Sequence, residues 1–268
     1  MKNLQKTLLI TDLDGTLLPA KKEVTPGCLR AIARFRQAGG KFTIATGRTL
    51  QAASRYLQAI QADMPAILFN GAGIYDPREE KMLYTVELPE AAVSVTRQVL
   101  DAFPDVSAEI LRSDGTYVSR MTAYEREHLE ICQVTPILAE PEQIPKGDWL
   151  KVLFAIAPER MPDLIAYFQK QHWTCGDFVQ SEARFYEMLP SGVTKGSALQ
   201  EYRKRCGMED WTIVAAGDFD NDLEMLRQAD FSACPSNAQS CVKAVSDLVL
   251  SNSCETDAIA ELIDYLML

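Results

Sequence analysis

The chain has 268 residues, 47% of them hydrophobic and 24% charged, enough for one large globular domain or two modest ones. Lys and Arg number 27 against 37 Asp and Glu, leaving a net charge of -10, a field that repels nucleic acid and anionic lipid and argues against both as partners. The 7 cysteines are scattered with no C-x-x-C, and the 2 histidines, His128 and His172, cannot build a zinc pattern. Histidine-based triads are disfavoured for the same reason, and a reducing, cytoplasmic setting is expected. The opening MKNLQKTLLITDLDG has too short an apolar stretch, too soon acidic, for a signal peptide. No apolar run approaches the roughly 18 residues of a membrane span.

In chain order, Thr7–Thr11 reads as a buried strand and Pro26–Ala38 as an amphipathic helix stopped by Gly39-Gly40. Lys41–Ala45 follows as a strand, Thr49–Ile60 as a helix and Ala66–Phe69 as a third strand. Strand–helix–strand alternation predicts a parallel sheet covered on both faces. The rhythm then changes. A hairpin turning at Asp76-Pro77-Arg78 leads to a helix after Pro89, a hairpin at Ser113-Asp114-Gly115 and a helix over 122–131. A strand over 150–157, a helix over 160–170 and strands over 177–180 and 184–189 complete that segment. After Thr194 the alternation returns: a helix to Arg205, strand Thr212–Ala216, helix Leu223–Ala229, then strand, helix, strand and a last helix from 256. The expected fold is α/β: a doubly wound, parallel-sheet (Rossmann-like) core, 1–87 and 191–268, interrupted by an inserted α+β cap, 88–190.

Ligands of open α/β sheets bind beyond the carboxyl ends of the strands. The first strand delivers Asp12-Leu13-Asp14-Gly15-Thr16 there, the second Thr46-Gly47-Arg48, and the strand after the insertion Gly217-Asp218-Phe219-Asp220-Asn221-Asp222; Lys195 opens the helix before it. Carboxylates this dense raise one another's pKa, a conflict that a hard divalent cation resolves. Mg²⁺ suits oxygen ligands together with a substrate phosphate. Lys195, Arg48 and the hydroxyls of Thr16 and Thr46 suit the remaining phosphate oxygens. The pattern points to metal-assisted phosphoryl transfer.

On these residues the chain resembles the haloacid dehalogenase-like hydrolases, and within them the Cof-type phosphatases. Asp12–Leu18 (DLDGTLL) fits the first motif, Ala45–Arg48 (ATGR) the second, Gly192–Gly196 (GVTKG) the third, and Gly217-Asp218-x-x-Asn221-Asp222 the fourth. The resemblance implies Asp12 as nucleophile and Mg²⁺ ligand, and Asp14 as general acid/base giving its main-chain carbonyl to the metal. It further implies Asp218 as a metal ligand, Asp222 in support of the metal, and Leu13, Thr46, Gly47, Arg48, Lys195 and Asn221 around the substrate phosphate. The gap between Asn70 and Lys195 is long enough for a cap, and that between Asp14 and Thr46 is not. A cap so placed is the Cof-type arrangement, with specificity for a small phosphorylated metabolite, sugar phosphates foremost. Phe219 and Asp220 depart from the small residues frequent in the fourth motif, and Asp257 stands where a late glycine is common.

Some residues have plainer readings. Arg48 is open between phosphate contact and a salt bridge to a rim carboxylate. Asn70 and Gly71 read as a turn outside the catalytic set, His128 and His172 as surface residues of the insertion. Arg203-Lys204-Arg205 reads as a helix C-terminus complementing its dipole. Two other functions share the motifs: a phosphomutase of the same superfamily, and a non-catalytic phosphosugar-binding regulator. The intact acidic set argues against the second. Nothing in the acidic surface points to an oligomeric state.

Overall fold

In the computed structural model, which describes residues 4–268, the run Thr7–Thr11 forms a strand, β1, with all but its first residue buried. The first three residues, which begin the segment read for a signal peptide, lie outside the described residues. Next come α1 (Pro26–Gln37), β2 (Lys41–Ile44), α2 (Leu50–Ala59), β3 (Ala66–Leu68), β4 (Gly73–Asp76) and β5 (Lys81–Thr85). The middle of the chain carries α3 (Ala91–Ala102), β6 (Ser107–Arg112), β7 (Gly115–Ser119), α4 (Ala123–Cys132), β8 (Ile137–Leu138), β9 (Lys151–Ala155), α5 (Met161–Gln171), β10 (Asp177–Glu182) and β11 (Phe185–Leu189). It closes with α6 (Lys195–Arg205), β12 (Thr212–Ala216), α7 (Leu223–Gln228), β13 (Phe231–Cys234), α8 (Ser240–Val245), β14 (Leu248–Val249) and α9 (Ala258–Met267). Two compact units result. One takes in the chain up to Arg48, Ala53–Tyr84 and Thr194–Leu268; the other takes in Thr85–Val193 with Thr49–Ala52.

The first unit is built on a parallel sheet in the order β14-β13-β12-β1-β2. Leu8 and Ile10 of β1 and Ile213 and Ala215 of β12 pack with Ala198, Leu199 and Tyr202 of α6 and Met225 and Leu226 of α7. The alternate residues Leu9 and Val214 are buried too, so these strands are apolar on both faces, as a sheet with helices on either side demands. Helix α1 starts where the Thr25 hydroxyl accepts the Cys28 amide at 3.1 Å and Pro26 occupies the first turn. Asp257, at the start of α9, adopts φ 64, the left-handed backbone that makes glycine common at such a place. Its carboxylate accepts the Thr25 hydroxyl and lies against Gly27, tying the two helix ends together.

The third strand differs from expectation. β3 has only three residues, and its ladder is antiparallel, to β4 in a small β3-β4-β5 sheet. A single parallel bridge, Ala45 to Ile67, joins it to the end of β2. Phe69 and Asn70 enter positive φ, 54 and 56, which ends the strand and folds the chain back.

The second unit is a six-stranded sheet in the order β10-β11-β9-β6-β7-β8, antiparallel except for the β7–β8 pair. One face packs on α3 and α5 through Val95, Val99, Ile110, Phe154, Leu164 and Met188, with Phe168 edge-on to Phe154, Trp173, Phe178 and Tyr186. The opposite register positions carry buried Ser107, Glu109, Lys151 and Glu187, with Lys151 Nζ 2.7 Å from Glu187 Oε1. His128 corrects the surface reading: on α4 it is only partly exposed, its Nε2 3.4 Å from Glu109 Oε2 and its ring against Phe185. His172 is exposed as expected. Among the described residues every cysteine is free, and no helix is long and apolar enough to cross a membrane.

Candidate active site

Parallel pairing aligns the strand ends that carry the acidic motifs. Thr11 lies opposite both Ile44 and Ala216, the Asp12 amide donates to Ala216 O at 2.8 Å, and the Ala45 amide to Thr11 O at 2.9 Å. Asp12, Ala45 and Gly217 therefore emerge at one level, with Thr46 one residue beyond. Gly15 turns the chain at φ 80, and a side chain there would collide with the Asp218 carboxylate. Thr16 Oγ1 donates to Asp218 Oδ1 at 2.7 Å, closing the first motif on the fourth. Gly71, at φ 105, lets the turn after β3 press on the Thr194 carbonyl, just before Lys195. That lysine opens α6 behind a Thr194 cap, whose hydroxyl accepts the Ser197 amide.

Lys195 has no exposed side-chain surface, and its Nζ sits 2.6 Å from Asp12 Oδ1 and 2.7 Å from Asp222 Oδ1. Burial alone would drive its proton off, but the two carboxylates outweigh burial and raise its pKa. Asp222 Oδ2 accepts the amides of Asp218 and Phe219 at 2.9 and 3.1 Å, so this carboxylate also shapes the loop that carries Asp218. Burial, against the pull of Lys195, raises Asp12 well above the ordinary carboxylate range, with Asp222, Asp14 and Asp218 adding to the shift. Asp218 is pushed up to about 6, by burial first. Asp12, Asp218 and Asp222 each place a carboxylate oxygen within 4.8 Å of the others. One ammonium among these acids leaves excess negative charge, and an all-oxygen donor set of this kind fits a hard divalent cation.

The Asp14 carboxylate stands outside that group. Arg48 Nε donates to its Oδ2 at 2.7 Å and Arg48 Nη2 to its Oδ1 at 2.8 Å, while Lys22 Nζ lies 2.7 Å from Oδ1. Burial works to raise its pKa, but the hydrogen bonds and charges of Arg48 and Lys22 prevail and hold it well below the usual range. Of the two readings of Arg48, this structure places it in the salt bridge. Leu13 is wholly buried. Thr46 is buried, its Oγ1 accepting the Arg48 amide at 3.2 Å. Gly47 lies against the Asn70 side chain.

Two residues join the site that the sequence reading left out. Asn70, buried at the left-handed turn after β3, accepts from Asn221 Nδ2 at 3.2 Å, and its place beyond a strand end was the available signal. Lys22 lies in the loop after β1, where no motif marks it.

A family model of haloacid dehalogenase-like hydrolases matches residues 9–263. The chain belongs to this family. Among curated relatives of this haloacid dehalogenase-like hydrolase is the 5-amino-6-(5-phospho-D-ribitylamino)uracil phosphatase YitU of Bacillus subtilis, 28% identical with 94% of each chain covered. Another is the pyridoxal phosphate phosphatase YbhA of Escherichia coli K12, 27% identical over 96% of this chain and 97% of that one. A haloacid dehalogenase-like hydrolase from Bacteroides thetaiotaomicron shares the fold at a TM-score of 0.89 and 21% identity, covering 97% of this chain and 99% of its own. Full-length relatives named as phosphatases accord with a phosphoric monoester hydrolase.

Proposed function

We propose that the protein is a Mg²⁺-dependent phosphatase that hydrolyses a small phosphorylated metabolite, a sugar phosphate in first place, through an aspartyl-phosphate on Asp12. The observation that carries this reading is the placement of Asp12: a buried carboxylate beside the Lys195 ammonium, within reach of Asp218 and Asp222. Asp12, Asp218 and the Asp14 main-chain carbonyl would hold the ion, with Asp222 in support. When bound, Mg²⁺ supplies the positive charge that lets a carboxylate approach a phosphate.

The chain's own groups then divide the work. Lys195, Thr46, the amides of Leu13 and Gly47, Asn221 and Arg48 are suited to hold the phosphate oxygens. An Asp12 oxygen forms a bond to phosphorus as the bond to the leaving oxygen breaks, and Asp14 gives that oxygen its proton. Asp14 next takes a proton from water, whose oxygen attacks phosphorus and returns Asp12 as a free carboxylate. Arg48 and Lys22 keep Asp14 ionised in the free enzyme, the form that the second half needs. When Arg48 moves to the phosphate, one cation leaves Asp14, which can then take up from solvent the proton that it gives to the leaving oxygen in the first half. The second unit, close to the 88–190 segment read from the sequence, is assigned recognition of the organic part of the substrate. YitU and YbhA, both named for phosphorylated small molecules, support that class.

A panel of phosphorylated metabolites, assayed with and without Mg²⁺, tests substrate and metal. Acid quench early in turnover of a ³²P-labelled substrate tests the mechanism. Label is expected on the protein as an acid-stable, hydroxylamine-labile acyl phosphate, and to be absent from Asp12→Asn. Turnover during which no label is ever bound to the protein would instead mean direct attack by water.

A further inference from the structure

Two cations hold the Asp14 carboxylate, and phosphate chemistry claims only one of them, Arg48. Lys22 is not a loosely placed surface lysine. Its backbone sits at φ 55, a conformation that residues with a β-carbon adopt only when their surroundings impose it. Its carbonyl accepts the Tyr56 hydroxyl at 3.1 Å, and its Nζ reaches Asp14 Oδ1 at 2.7 Å. Tyr56 is buried on α2, and its ring lies under the Arg48 guanidinium, 5.2 Å from centroid to carbon. One side chain thus braces both cations that meet on Asp14.

We propose that Lys22 is a positioning residue for proton transfer: it keeps the Asp14 carboxylate aimed while Arg48 serves the phosphate. The inference rests on Asp14 being the acid–base group of the proposed reaction. A bidentate guanidinium must leave the carboxylate as a unit, whereas an ammonium on a four-carbon stem follows it through small movements. Without Lys22 the carboxylate can turn about its own side-chain torsions once Arg48 is engaged, and misplacement of about 1 Å costs up to about a hundredfold in rate. The proton's route is unchanged, from Asp14 to the leaving oxygen and later from water to Asp14; Lys22 bonds to neither reactant.

The test compares kcat/KM for phenyl phosphate and p-nitrophenyl phosphate, probes of similar size whose leaving oxygens differ in basicity. The phenolate needs the proton; the nitrophenolate leaves readily without it. Lys22→Met is expected to lose about tenfold on phenyl phosphate, a part of the roughly hundredfold or more that general acid catalysis supplies, and under about threefold on p-nitrophenyl phosphate. Lys22→Arg, which restores the charge but not the ammonium's freedom to follow the carboxylate, should recover only part of the loss, and thermal melts check that each variant is folded. A purely structural role would lower both substrates alike. Asp14→Asn separates the two ideas. If it too loses selectively on phenyl phosphate, an equal or absent effect in Lys22→Met overturns the role of Lys22 alone. If Asp14→Asn loses equally on both, the acid–base assignment falls and the inference with it.

Discussion

A lysine with no exposed side-chain surface keeps its charge because Asp12 and Asp222 lie 2.6 and 2.7 Å from its ammonium. Removing one member of such a buried cluster costs about 3–5 kcal/mol, because the partners stay buried without compensation. Lys195→Met is therefore expected to lower the unfolding free energy in metal-free buffer by about 3–5 kcal/mol, and added Mg²⁺ should recover part of it by supplying the missing charge. Urea melts with and without Mg²⁺ check this; a variant as stable as the parent without metal would show that Lys195 does not balance the acids. Asp12, Asp218, Asp222 and Lys195 were legible as a set because strand-end motifs carry them. Lys22 was not, since a lysine in a polar loop has no periodicity and no fixed spacing from Asp14. Its role depends on a positive φ and on a tyrosine one helix away, neither of which a one-dimensional pattern contains.

Helix α4 shows the same limit at the scale of an element. Its position was readable, but the charge beneath it was not. Glu125 is fully buried with Oε2 on the Ser107 hydroxyl at 2.8 Å and Oε1 without a hydrogen-bond partner among the described residues. Burial, then the charge of Glu109, pushes its pKa to about 8, partly offset by Ser107 and His128. For His128, burial opposes the charged form, but Cys132 and Glu109 outweigh it and raise the pKa to about 10. Both groups bind protons more tightly folded than unfolded, so each contributes stability that is complete below its ordinary pKa and is lost as pH rises through its folded value. For Glu125 the loss runs from about 4.5 to about 8, for His128 from about 6.5 to about 10. Urea midpoints should thus fall as pH rises across these windows, and Glu125→Gln should flatten the lower one. A variant whose profile kept the parent's slope between pH 5 and 8 would remove Glu125 as the cause. Short elements were illegible for a related reason. β8 has two residues, too few for any alternation, and β3 ends where Phe69 and Asn70 take a backbone conformation that apolar patterning does not encode.

At the scale of the whole molecule, the interruption of one α/β pattern by a stretch of different rhythm was the readable feature. Apart from Thr49–Ala52, which group with the second unit, the chain divides at Tyr84/Thr85 and Val193/Thr194. The acidic motifs, Lys195 and the parallel sheet all fall in the first unit, whose own core runs from Leu8 and Ile10 to Val242. The second unit has a separate core on one face of its sheet and buried Glu109, Lys151 and Glu187 on the other. Nothing in its sequence named a ligand, because recognition of an organic group depends on which side chains a folded sheet brings together. If specificity resides there while phosphoryl chemistry resides in the first unit, the two should be separable. Replacing Thr85–Val193 with a short glycine-serine linker is expected to keep measurable Mg²⁺-dependent hydrolysis of p-nitrophenyl phosphate, whose leaving group needs little help. Preference among phosphorylated metabolites should collapse, read as kcat/KM values that converge across the panel while the parent spreads them widely. Circular dichroism and melting of the shortened chain establish that it folds before the comparison is made. A folded shortened protein that keeps the parent's substrate ranking would move specificity to the rim residues Arg48, Asn70 and Lys22 of the first unit.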